Sequence, residues 1–346
     1  MANFTPSALV AGQAKFNEKF LSGEWRMPDT AAVKTSELGG VANPSLNDIR
    51  TREDRTVNAY FPIRQAAIDG TARSHNHTGA AGDSLAETIS WTTLSETFSI
   101  SIKQADNNVF SFEEMYAASL KNAVFNLLDR IDAYFVTQLI ADKTQYNAGG
   151  GNGTFDATAD DYQLGNASRS NWFQNIKAMM EFNLYRGNLI GILDSPAYVL
   201  AQDKAAQGDN NGVNTAFQFM GFDALVPTTR TLLDITNTYT ESGLFFEPGL
   251  VASLPWIPKQ NRKALDPVLA TSYNGDYGSF QVPEFPGVDF AIHSYAQRAD
   301  GSSVGGYTQD LTIEVEISVD WGYVSAPLST FRGSNDSVVY SSGVLQ

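Results

Sequence analysis

The sequence predicts an α+β fold, and three of its stretches carry that prediction. Ser111–Lys143 runs for 33 residues without Gly or Pro, with apolar side chains at helical spacing. Leu311–Tyr323 alternates apolar and polar residues over 13 positions, the pattern of a long strand with one buried face. Between them, short helical and strand patterns alternate, as in a mixed α/β subdomain.

The chain opens on an amphipathic stretch, Pro6–Leu21, with Leu9, Phe16 and Phe20 apolar. It has no basic segment followed by an apolar one, so it reads as a helix and not a signal peptide. "MPDTAAVKTSELGGVANPSLND" follows, rich in Pro, Gly, Asn and Ser without sustained periodicity. That composition suits an arm lying on another surface. "TVNAYFPIRQ", from Thr56 to Gln65, predicts a strand, with Pro62 assigning it to an edge or bulge. Asp83–Gln104 has the alternation of two further strands, Ile89 and Trp91 on one face and Phe98, Ile100 and Ile102 on another. It reads as a hairpin, and a lone hairpin is marginal in water, so it needs a cover.

Ser111 and Glu114 form a capping box at the start of the long helix. Phe112, Tyr116, Leu120, Val124, Leu127, Ile131, Tyr134 and Phe135 mark its apolar face, and "NAGGGNG" ends it. A second helix is expected over Ser170–Arg186, then "NLIGIL" as a short buried strand. A third helix begins at "DSPAYVLAQDKAAQG", with Ser195 as N-cap and Pro196 at its first position. Short strands follow around Gly221 and Pro248. In the terminal strand, Leu311, Ile313, Val315, Ile317, Val319, Trp321 and Tyr323 share one face, opposite Thr312, Glu314, Glu316, Ser318 and Asp320. Its length matches that of the long helix, which is expected to pack across it.

Apolar residues make up 42% and charged residues 18%, a low charged fraction that suits a surface used in contacts. The net charge of −15 argues against sequence-independent DNA binding, because such a chain repels phosphate. Arg50, Arg52, Arg55, Arg64 and Arg73 form a local cationic exception. It reads either as a partner for a neighbour's carboxylates or as an ordinary solvated face. No apolar run reaches the ~18 residues that a membrane span requires, so a soluble chain made in a host cytoplasm is expected.

Catalytic chemistry finds little to stand on. There is no cysteine, which removes disulfides, thiolate metal sites and a Cys nucleophile. His75 and His77 sit in "SHNH" among Gly, Ser and Asn, a mobile-loop composition without further ligands, and His293 stands alone. "AGGGNGT" lacks the Gly-Lys-Ser/Thr ending and follows a helix, so it is no phosphate loop. "DATADD" and "DNNG" do not fit calcium-loop spacing. No enzyme activity, cofactor or metal is expected.

The order of elements resembles the major capsid proteins of tailed bacteriophages with the Hong Kong 97-like fold. That order is an irregular arm, an extended β-hairpin, a very long helix, an α/β insertion and a long terminal strand. The stretches that carry the resemblance are "SFEEMYAASLKNAVFNLLDRIDAYFVTQL", "ILDSPAYVLAQDKAA" with "FQFMGFDALVPTT", and "SGLFFEPGLVASLPW". The resemblance implies an N-terminal arm over 1–55, an extended loop over 56–104 and a peripheral domain with its spine helix over 105–187. An axial α/β domain over 188–284 and peripheral C-terminal strands over 285–346 complete it.

The resemblance also implies that the hairpin's cover is an adjacent subunit, with Trp91, Phe98, Ile100, Ile102, Arg50, Arg52 and Arg55 as inter-subunit contacts. The alternative is a hairpin packed on its own core. Some relatives cross-link through a lysine on this loop; here Lys103, the only lysine between Lys34 and Lys121, sits at the loop's base and does not suit that role. The implied function is a structural subunit that self-assembles as hexamers and pentamers into an icosahedral virion head. That shell would enclose double-stranded DNA without sequence-specific binding, and portal, scaffolding and decoration proteins would join it. The "MANFTP" start leads us to expect no long cleaved propeptide. Two other readings remain: an encapsulin-type nanocompartment shell, and an extracellular glycan-binding or adhesive β-rich protein.

Overall fold

The computed structural model describes residues 6–28, 30–38, 55, 58–62, 84–101, 110–144, 152–183, 185, 187–209, 221–230, 232–233, 239–258, 261, 276–285, 287–298, 311–327 and 338–346. The helices are α1 (Pro6–Leu21), α2 (Ala31–Leu38), α3 (Phe112–Ala141), α4 (Trp172–Phe182) and α5 (Ser195–Asp209). The strands are β1 (Asn58–Pro62), β2 (Ser84–Thr88), β3 (Ser90–Ser101), β4 (Thr154–Asp156), β5 (Asp161–Leu164), β6 (Leu189–Leu193) and β7 (Phe222–Pro227). They continue with β8 (Tyr239–Phe246), β9 (Val251–Trp256), β10 (Asp276–Gln281), β11 (Asp289–Arg298), β12 (Leu311–Ser325) and β13 (Tyr340–Leu345).

The strands form two sheets and a ribbon. Sheet I has the order β10-β11-β12-β3, and β9 continues along β12 past the end of β11. Sheet II has the order β4-β5-β13-β8-β6-β7. The ribbon is β1 paired with β2. The fold is α+β, as the sequence predicts.

The helix–strand layer is the spine of the molecule. Ser111 accepts from the Glu114 amide while the Glu114 carboxylate accepts from the Ser111 amide, so the predicted capping box is present. Ile313, Val315, Ile317, Val319, Trp321 and Tyr323 are all buried, as their shared face requires. Phe98 meets Tyr116 edge-on at 5.7 Å, and Tyr323 meets Phe135 edge-on at 5.9 Å. Phe98 pairs with Val315 across the strands. The helix advances about 28 Å from Tyr116 to Phe135 and the strand about 27 Å from Val315 to Tyr323. Equal advances mean that α3 runs beside β12 in the same direction. At the far end the Tyr323 hydroxyl donates to Asp142 at 2.5 Å, fastening the helix C-terminus to the strand.

The N-terminal helices lie on this same spine. Phe16 is fully buried among Phe20, Trp25 and Phe280, and Lys121 of α3 sits 4.7 Å from the Trp25 ring centre. Gly12 is pressed against Tyr116, where a Cβ would come within 2.5 Å of the ring. Where described, therefore, the surface on which the arm lies is that of its own chain. Residues 39–54 lie outside the described residues.

Some expectations are corrected. The strands over Asp83–Gln104 do not form a hairpin with each other: β2 pairs with β1 and β3 pairs with β12 from Ser101↔Thr312 to Ser90↔Tyr323. Only Ile89 separates them, too little chain for a reversal, so the strand passes straight from ribbon to sheet. The N-cap of α5 is Asp194, whose carboxylate accepts from the Ala197 amide at 2.8 Å; its carbonyl accepts the Tyr198 amide. It displaces Ser195 because a charged acceptor at a helix N-terminus is the stronger partner. The second helix is shorter than Ser170–Arg186, with a 3-10 turn over Asn166–Asn171 leading into Trp172. The sheets also cut across the boundaries at 188 and 284. β9 and β10 join sheet I, whereas β4, β5 and β13 join sheet II.

Candidate inter-subunit surface

The ribbon β1–β2 leaves sheet I where β9, β12 and β3 meet. Its inner residues Ala59 and Phe61 join Ile89, Ala252, Leu254, Trp256 and Val324 in a small apolar cluster, with Trp91 packed against it. The Trp91 and Trp256 rings lie 6.5 Å apart, edge to face. Gly322 lies beneath Trp91, and a Cβ there would come within 2.7 Å of the indole. Only a glycine gives the ring that seat.

Farther out the ribbon has little cover among the described residues. Tyr60 is 54% exposed and Leu85 41% exposed, and they lie on opposite faces, since Tyr60 pairs with Ala86 and Phe61 with Leu85. Sequence reasoning found this strand but not these two residues. The available signal was that Tyr60 and Phe61 are adjacent, so a strand carrying both is apolar on both faces.

The sequence-nominated contacts divide. Ile100 is 2% exposed and belongs to the main core with Leu94, and Phe98 packs against that core. Both lie between sheet I and α3, so this part of the expected neighbour-facing surface is covered within the chain. Trp91 is half-buried over Gly322. Arg55 pairs with Asp320 of its own chain, Nη1 to Oδ2 at 2.7 Å. Ile102, Arg50 and Arg52 lie outside the described residues, as do His75, His77 and Lys103.

Buried carboxylates pin elements together here and elsewhere in the fold. Asp320 accepts from Arg55 and from Thr93 Oγ1 at 2.5 Å. Asp132 of α3 accepts from the Ala31 amide and from Thr228 Oγ1, each at 2.8 Å. Burial pushes its pKa up, against the opposing pull of those hydrogen bonds, the Ala32 amide and Arg230. Burial likewise raises Asp194, opposed by Ser242 and the Ala197 amide. Asp161 is fully buried and accepts from Lys143 Nζ at 2.7 Å and Ser341 Oγ at 2.6 Å. These contacts hold elements together rather than presenting reactive groups.

No protein-family model matches the chain, and no curated protein does. Solved structures are similar along most of its length. A "Mycobacterium phage Che8" structure is 12% identical with a TM-score of 0.47, covering 92% of each chain. A "Capsid of native GTA particle computed with C5 symmetry" is 13% identical with a TM-score of 0.45, covering 93% of each. The "Capsid structure of the Cyanophage P-SCSP1u" is 12% identical with a TM-score of 0.43, covering 84% of each.

Proposed function

We propose that the chain is the structural subunit of a self-assembling shell, the icosahedral head of a tailed phage around double-stranded DNA. The observation that carries this reading is the ribbon. A short two-stranded projection with Tyr60 and Leu85 exposed on opposite faces leaves a long helix-on-sheet layer, in the element order that the sequence resemblance describes. Such a ribbon is marginal alone, and a second copy of the chain is the cover that repeated symmetric assembly supplies. Many modest contacts then multiply through avidity.

On this reading α3 with sheet I is the peripheral layer, and sheet II with α5 leads toward the symmetry axes. Hexamers and pentamers form the shell, and portal, scaffolding and decoration proteins are its further partners. The net charge of −15 leaves packaged DNA free to slide over the wall. Size-exclusion chromatography with light scattering, followed by negative-stain microscopy, tests the proposal. Megadalton shells or hexamer sheets are the expected result. A chain that stays monomeric even with a scaffold or crowding agent overturns it.

A further inference from the structure

Three elements converge at the root of the ribbon on one acid. Arg55, three residues ahead of β1, donates from Nη1 to Asp320 Oδ2 at 2.7 Å, and Thr93 of β3 donates to Oδ1 at 2.5 Å. Thr93 and Asp320 are register partners across β3 and β12, so the acid is held square to the sheet. The two ends of the ion pair differ in access: the Asp320 side chain is 7% exposed and that of Arg55 is 47% exposed. The carboxylate is committed to the interior, whereas its cation is reached by solvent. A buried carboxylate that loses its cation is strongly disfavoured, so Arg55 is held by the cost of leaving Asp320 alone.

The ribbon has few other anchors. It comprises five residue pairs, and neither outer edge has a strand partner among the described residues. Its apolar root is the small cluster around Phe61 and Trp256, which is separate from the main core.

We propose that Arg55 and Asp320 form a catch that fixes the β1–β2 ribbon against sheet I, so that its own chain sets the ribbon's direction before any second copy arrives. The catch is a property of the single chain; only its use in assembly rests on the shell reading. It opens without disturbing sheet I, because β12 stays paired with β3, β9 and β11 when Arg55 leaves.

Hydrogen–deuterium exchange with mass spectrometry tests this on the purified full chain, with wild type, Arg55→Ala and Asp320→Asn in the same oligomeric state. In both variants, peptides over 58–62 and 84–88 should exchange at least tenfold faster, with α3 and β11 unchanged. Asp320→Asn keeps an acceptor for Thr93 and removes the buried charge, so it decides the matter if Arg55→Ala unfolds. Wild-type ribbon rates in a folded Asp320→Asn protein overturn the catch, as does a ribbon already exchanging at the unprotected rate in wild type. Failure to form particles would count against the shell reading alone, because ribbon exchange is read independently of assembly.

Discussion

The amide of Ala31 donates to Asp132 Oδ1 at 2.8 Å, joining the first turn of α2 to the middle of α3 across 101 residues of chain. Thr30 precedes α2 at the capping position, yet its own Oγ1 has no partner among the described residues. The cap is supplied by tertiary structure. Asp132→Ala should cost about 1–3 kcal/mol, through the lost cap and the orphaned Ala31 amide and Thr228 hydroxyl. Denaturant unfolding with unchanged m-value is the check.

The same acid gives a pH dependence of fixed sign. Burial raises the Asp132 pKa, so the folded chain holds its proton to higher pH than the unfolded chain. The stability this contributes is fully present below the unfolded carboxylate range and is lost as pH rises through the folded pKa. Asp132→Asn keeps an acceptor for Ala31 and does not titrate. Relative to wild type, it should gain stability as pH rises from about 4 toward neutrality. Asp194, also raised, leaves a residual slope of the same sign in both proteins. Thermal melts at several pH values read the difference; a flat or reversed difference refutes the assignment.

Thr35 of α2 is 1% exposed, and its hydroxyl has no hydrogen-bond partner among the described residues. Val has nearly the same shape without the unpaired oxygen. Thr35→Val should therefore leave the fold intact and raise stability by up to about 1–2 kcal/mol. A drop in melting temperature would show that the hydroxyl is satisfied after all.

Lys143 and Asp161 form an ion pair sealed between the end of α3 and β5, with side chains 8% and 0% exposed. Lys143→Met strands the carboxylate and should cost about 3–5 kcal/mol. The double variant Lys143→Met with Asp161→Leu should recover part of that loss, with Ser341 still donating to the Asp160 carbonyl. Chemical denaturation of the two variants separates a stranded charge from lost packing, since only the former is relieved by the second substitution.

What the sequence made legible follows from how local the signals are. The spine helix, its capping box and the alternation of β12 are written in consecutive residues, and each appears where the pattern puts it. Strand pairing is not local. Nothing in Ser84–Ser101 says that β2 turns toward β1 while β3 joins a strand more than two hundred residues away. The buried state of Asp320 was hidden for a similar reason: it alternates outward with Glu314 and Glu316 until β9, Arg55 and the ribbon root cover that end of β12. The cover over Phe98 and Ile100 was hidden for the same reason, since an apolar strand face does not announce which surface it meets.

That cover supplies a decisive pair of substitutions. Ile100 lies 2% exposed inside the chain's own core, so Ile100→Ala should cost about 2–5 kcal/mol in a single unassembled subunit. Tyr60 and Leu85 are exposed, so Tyr60→Ser with Leu85→Ser should alter subunit stability by no more than about 0.5 kcal/mol per site. If the ribbon meets a second copy, the Tyr60/Leu85 variant should nevertheless lose most of its large particles under conditions where wild type assembles. Light scattering and a melting curve on each protein give both readouts. Unchanged assembly in the ribbon variant would remove Tyr60 and Leu85 from the interface. An Ile100→Ala protein that melts like wild type but fails to assemble would return that residue to the subunit boundary.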